Sequence, residues 1–101
     1  MARTTWSELK DKRLGGITAA ERVEYDRAYA EAQLAAAVGE RVREAREAAG
    51  LSQRDLAALM GTSQAAIARL EAGGVGATLT TLHRAAIALQ LELSVELRPS
   101  A

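Results

Sequence analysis

The sequence contains no cysteine and no phenylalanine, and it has one proline and one histidine in 101 residues. Without cysteine there are no disulfides and no thiolate metal sites, which fits a reducing compartment; a cytoplasmic location is expected. His83 alone cannot build a histidine metal cluster or a Ser-His-Asp triad, so no metal, no cofactor and no enzymatic activity are expected. Aromatic residues make up only 3% of the chain, so the core has to be aliphatic. No apolar run is long enough to span a bilayer, and no signal-peptide pattern opens the chain. Charge of one sign is also missing: 13 basic residues face 13 acidic ones, and they balance on both sides of Val38. Domains that bind nucleic acid are often strongly basic. Any phosphate contact here must come from local placement, be few per chain, and gain from a second copy.

What is present is a 49% apolar share dominated by alanine, the profile of closely packed helices in one small domain plus an extension. Trp6 to Leu14 reads as a short helix, with Thr5 and Glu8 as a capping box and Gly15-Gly16 as its stop. Thr18 and Glu21 repeat the box and open a helix of about 30 residues, ~45 Å long, that Gly50 ends near Ala49. Val38, Val42, Ala45 and Ala49 form its core face. Gly39 is expected only to weaken it, by roughly 1 kcal/mol relative to Ala. Thr78 opens a further helix through Gln90, with Leu79, Leu82, Ala86 and Leu89 as one stripe and His83 and Ile87 off it. The period then changes. Leu91, Leu93, Val95 and Leu97 alternate with Glu92, Ser94, Glu96 and Arg98, a half-buried β-strand ended by Pro99.

The most informative stretch is Ser52 to Gly73, SQRDLAALMGTSQAAIARLEAG. Ser52 and Asp55 form a capping box, and Leu51 and Leu56 can close over it as a hydrophobic staple. Gly61 supplies the positive φ that stops the first helix, and Ser63 caps the next. Leu56, Ala57 and Met60 face Ile67 and Leu70. That leaves Gln64, Ala65, Ala68 and Arg69 on the second helix unclaimed by the core. A short helix with Gln and Arg on its free face suits the DNA major groove. Gln can pair with adenine, Arg can reach guanine or a phosphate, and the Ala65 methyl suits thymine. Glu71 would repel phosphate and is expected to pair within the fold. The segment GGVGA that follows lacks the Lys and Ser/Thr of a phosphate loop. It reads as a flexible turn whose N–H groups, with Thr78, touch a phosphate.

From about Val38 to Leu89 the order of residues resembles the Xre family of Cro/repressor-type helix-turn-helix proteins. The LSQ at 51–53 and the I-x-x-L-E-x-G at 67–73 are the most specific parts. The resemblance implies that Gln53 contacts the DNA backbone. The DNA-facing set is then Gln53, Arg54, Thr62, Ser63, Gln64, Ala65, Arg69 and Thr78, on double-stranded operator DNA. The chain departs from the family after Gly73, where GGVGA replaces a loop that usually carries Lys, Asn or Arg.

Trp6, Tyr25 and Tyr29 are all the aromatics in the chain and lie outside this domain. With Leu9, Leu14 and Val23 they outline a partner-binding surface. The layout of both termini is similar to HigA-type antitoxins of bacterial toxin–antitoxin operons. That implies an antitoxin that neutralises a RelE/HigB-like ribonuclease toxin and represses its own operon. Two other readings remain open: a stand-alone transcriptional repressor, and a protein-interaction module that has lost DNA binding. The expected organisation is an N-terminal helical extension at 1–37, a DNA-binding domain at 38–90, and a dimerisation strand and tail at 91–101. The fold class is mostly α, an Xre-type bundle with one strand. That strand has no partner in the chain, so it is expected to pair with itself in a homodimer through Ile87, Leu91, Leu93, Val95 and Leu97.

Overall fold

The computed structural model describes residues 18–74 and 77–100. They contain four helices, α1 (Ala19–Ala48), α2 (Gln53–Met60), α3 (Gln64–Glu71) and α4 (Leu79–Ala88). The helix expected at Trp6 to Leu14, its box Thr5–Glu8 and its stop Gly15-Gly16 lie outside the described residues. Contacts divide the chain into two units, with the boundary between Glu31 and Ala32, inside α1.

In the first unit the long helix opens as its cap requires, with the Glu21 amide donating to Thr18 Oγ1 at 3.1 Å. Every described residue of this unit is exposed. Val23, Tyr25 and Tyr29 are among its exposed large side chains, and an Arg27–Glu24 pair one turn apart spans 3.4 Å.

The second unit carries the core. Leu56 and Ile67 are 0% and 1% exposed, and Val42, Ala57 and Leu70 complete a buried cluster. Met60, Ala77, Leu82, Ala88 and Leu89 pack against it. α2 and α3 thus face each other as their apolar spacing dictates, with α4 closing the cluster. In α4 the buried residue is Ala85, whereas Leu79 stands 63% exposed. The expected stripe started one turn too early. Leu79 is the first residue of the helix, beyond the reach of the core.

All four helices end in one way. After each, a residue in the left-handed region donates its N–H three residues back, and the next residue reaches five back. Gly50 and Leu51 bond to Glu47 and Arg46, Gly61 and Thr62 to Ala58 and Ala57, Gly73 and Gly74 to Leu70 and Arg69, and Gln90 and Leu91 to Ile87 and Ala86. Glycine supplies the positive φ in three of these. In the fourth, Gln90 adopts φ 57° without being glycine.

Gly39 does more than weaken a helix. A Cβ there would stand 2.5 Å from the Leu70 carbonyl oxygen and 2.6 Å from that of Glu71. A Cβ on Gly73 would meet Ala36 Cα at 2.9 Å. α1 therefore crosses the end of α3 backbone to backbone, and only glycine fits at both contacts.

The C-terminal segment differs from the expected strand. Residues 91–100 carry no regular secondary structure, and no strand occurs among the described residues. A strand needs a neighbour to bond to, and this segment finds none among the described residues.

Candidate nucleic-acid interface

The exposed face of α3 is built by caps at one end and by packing on the other face. Ser63 Oγ accepts the Ala66 amide at 3.1 Å, so α3 begins at Gln64. Its hydroxyl proton stays free to donate outward. Ile67, Leu70 and Glu71 are buried, which fixes the roll of the helix. Gln64, Ala65 and Arg69 are then left exposed, with Ala68 half-buried. The turn before them is held by Gly61 and by the Thr62 amide bonded to the Ala57 carbonyl at 2.9 Å. Thr62 and Ser63 are both exposed beside the start of α3.

α2 starts on the full capping box. The Asp55 amide donates to Ser52 Oγ at 3.0 Å, and the Ser52 amide donates to Asp55 Oδ2 at 2.9 Å. The bond from the Ser52 backbone, then that of its side chain, holds the Asp55 carboxyl below the usual carboxylate range. Arg54 is exposed in this first turn. Among the described residues neither Arg54 nor Arg69 forms an ion pair, which leaves both guanidinium groups available to a phosphate or a base.

Beneath this surface sits a polar network. Arg46 of α1 grips Glu71 with two parallel bonds, Nε to Oε2 at 2.7 Å and Nη2 to Oε1 at 2.9 Å. Its Nη1 donates to the Leu51 carbonyl at 2.8 Å, and Gln53 Nε2 donates to Glu71 Oε1 at 3.2 Å. The pair is buried, the Glu71 side chain being 3% exposed. Burial alone would push the Glu71 carboxyl up, but the bonds from Arg46 and Gln53 outweigh it and hold it below its ordinary value. The same bond to Glu71, working against burial, raises the Arg46 guanidinium. The expectation that Glu71 pairs inside the fold is met.

Gln53 opens α2, is half-buried and donates its amide to Glu71, so it links the start of α2 to the end of α3. Thr78 caps α4, accepting the Thr81 amide at 3.2 Å, and remains exposed. Of the GGVGA turn, the amides of Gly73 and Gly74 are taken by the carbonyls of Leu70 and Arg69, at 3.2 and 2.7 Å, and so are not free for a phosphate, while residues 75–76 lie outside the described residues. Sequence reading missed Arg46. Its signal was a charge four residues after Val42, on the buried face of α1, which calls for a buried partner.

Residues 42–95 match the helix-turn-helix family HTH_3, over more than half of the chain. The chain belongs to the helix-turn-helix family. Among solved structures it is similar to the restriction-modification controller protein C.AhdI from Aeromonas hydrophila. Identity to it is 37%, with a TM-score of 0.55, over 56% of this chain and 83% of that one. No curated protein matches the sequence. The matched residues take in α2, α3 and α4, and the family match begins beyond the first unit of α1. No helix among the described residues is long and apolar enough to cross a membrane, and no cluster of metal-ligating side chains occurs among them.

Proposed function

We propose that this chain is a transcriptional repressor that reads operator DNA with α3. The observation that carries the reading is the division of α3 into two faces. Ile67, Leu70 and Glu71 are locked into the fold, while Gln64, Ala65 and Arg69 project from an exposed surface. Gln64 and Arg69 are assigned to base edges, Ala65 to a thymine methyl, and Arg54, Thr62, Ser63 and Thr78 to phosphates. Gln53 is assigned to positioning through Glu71 together with the backbone contact that the family implies. The likeness to a restriction-modification controller supports a stand-alone regulator over the antitoxin that the terminal layout suggests. Gln64→Ala should cost about 1–3 kcal/mol on the chain's own upstream DNA and relax preference at one base position. Equal loss on specific and random duplexes in fluorescence anisotropy removes the base-reading role.

The repressor is proposed to act as a two-fold dimer. Ile87, Leu91, Val95 and Leu97 are all exposed in the single chain, and Leu93 is half-buried. Pairing of segment 91–98 with its equivalent would cover them. It would also double the phosphate contacts of a chain with no net positive charge. Val95→Pro removes a central ladder donor, and sedimentation should show it monomeric with operator binding lost.

A second reading concerns the extension. Val23, Tyr25 and Tyr29 on an exposed helix support a protein-binding surface, a cognate toxin being the partner expected from the antitoxin-like layout. Trp6, Leu9 and Leu14 of the same surface lie outside the described residues. Co-expression with the product of the adjacent gene tests it. Deleting Met1 to Thr18 should weaken co-purification and spare operator binding, and full-strength co-purification rules the surface out.

A further inference from the structure

A groove of about 500 Å³ runs between α1 and α4, and the chain's own residues 91–95 form its remaining wall. Its floor and walls are apolar, from Val38, Val42, Leu82, Ala85 and Leu89. At its mouth stand one cation and one anion, Arg41 on α1 and Glu92 on the C-terminal segment. Their state contrasts with the other arginines of this half of α1. Arg43 pairs with Glu40 at 2.6 Å and with Glu47 at 3.8 Å, and Arg46 is committed to Glu71. Among the described residues Arg41 and Glu92 form no ion pair, with each other or with any other group. The segment's backbone is equally uncommitted. Leu91 donates to the Ala86 carbonyl, and beyond it no backbone–backbone bond is made by residues 92–98 among the described residues. The unpaired backbone groups of an exposed extended segment are open to pairing with another chain.

We infer that this groove is the seat of segment 91–98 from a second copy of the chain, with Arg41 of each copy meeting Glu92 of the other. The inference rests on the dimer reading and names where the second copy lies. Three features favour that occupant. An extended segment entering the groove lies beside residues 91–95 and can satisfy their unbonded edge, as an added strand does. Its apolar alternation, Leu91, Leu93, Val95 and Leu97, matches the apolar floor. The mouth carries both members of an ion pair, and a two-fold axis turns such a patch into its own complement, with residue i meeting j and j meeting i.

Charge reversal separates this from other arrangements. Arg41→Glu alone, or Glu92→Arg alone, sets like charges across both halves of the dimer. Either should weaken dimerisation at least about tenfold in sedimentation equilibrium. Both positions are exposed, so circular dichroism should show each variant folded. An equimolar mixture of the two variants restores both opposite-charge contacts between unlike chains, and native mass spectrometry should find the heterodimer at wild-type strength. Variants that dimerise as the wild type does, while Val95→Pro is monomeric, overturn the groove assignment and leave the dimer standing. So does failure of the mixture to form heterodimers, or a small apolar molecule retained in the groove of an intact dimer. A wild-type chain that is monomeric at micromolar concentration overturns both.

Discussion

The two parts of α1 are continuous as helix and opposite in the exposure of their described residues. Before Ala32 every described residue is exposed. After it, Gly39, Val42 and Arg46 are buried, each against a different kind of neighbour: the α3 backbone, the aliphatic core and a carboxylate. Among the described residues the first stretch shows its Thr18 cap and the Arg27–Glu24 surface pair, terms worth a few tenths of a kcal/mol to about 1 kcal/mol each. The second stretch is held by tertiary contacts, and these set the orientation of α3. Regular helix geometry thus says little about where stability resides. One helix carries buried residues after Ala32 and exposed described residues before it.

The sharpest way to break this contrast is at Arg46. Removing the guanidinium leaves Glu71 buried and uncompensated, and Arg46→Ala should cost about 3–5 kcal/mol in urea unfolding. Exchanging Arg46 and Glu71 together for apolar residues of similar volume should recover most of that, because neither charge is then stranded. Acid probes the same pair. The folded Glu71 carboxyl titrates below its ordinary value, so its contribution is complete at neutral pH. It fades as the unfolded carboxyl takes up protons near about pH 4.3, and is lost once the pH falls through the folded value. With Glu71→Gln this part of the acid sensitivity should vanish. An unchanged acid limb in that variant would remove the pair from the account. In the first unit, Arg27→Ala should change unfolding by no more than about 0.5 kcal/mol.

Gly39→Ala comes next, and here local and tertiary reasoning predict opposite signs. Propensity alone expects a gain of about 1 kcal/mol. The contacts expect a loss of about 1–3 kcal/mol, since the added methyl would displace the Leu70 and Glu71 carbonyls at the end of α3. Thermal unfolding reads the sign directly. A stabilised Gly39→Ala protein would mean that α1 and α3 do not meet as described.

These two positions also mark the limit of what the sequence disclosed. The α2–turn–α3 stretch was legible because its determinants are local: a Ser–Asp box, a glycine stop, a serine cap and apolar spacing. Gly39 and Arg46 were opaque because each is explained by a partner 25 to 32 residues away in sequence. The exposed residues proposed to face DNA could be listed from the pattern, but the turning of Gln53 toward Glu71 could not. It depends on a carboxylate brought in by the end of α3. The C-terminal alternation is of a third kind. Its period is plain, yet a strand exists only when paired, and the single chain pairs it with nothing among the described residues. The start of the α4 stripe was misjudged because periodicity fixes a face without fixing how far along the helix the core extends.

The smallest expected effect tests whether local terms still count inside the packed unit. Gln90 ends α4 in the left-handed region, at φ 57°, doing what Gly50, Gly61 and Gly73 do at the other three stops. A side chain with a Cβ costs roughly 1–2 kcal/mol in that conformation, against little for glycine. Glycine in turn loses more freedom on folding, which takes back part of the gain. Gln90→Gly should therefore stabilise the protein by about 0.5–1 kcal/mol, visible as a modest rise in Tm. Gly61→Gln at the equivalent stop of α2 should lose a similar amount. That position has open space for a Cβ, so the loss would report the backbone alone. If Gln90→Gly instead destabilises, residue 90 owes its conformation to a contact that its side chain makes, and the second copy proposed to lie beside residues 91–95 is the first place to look for it.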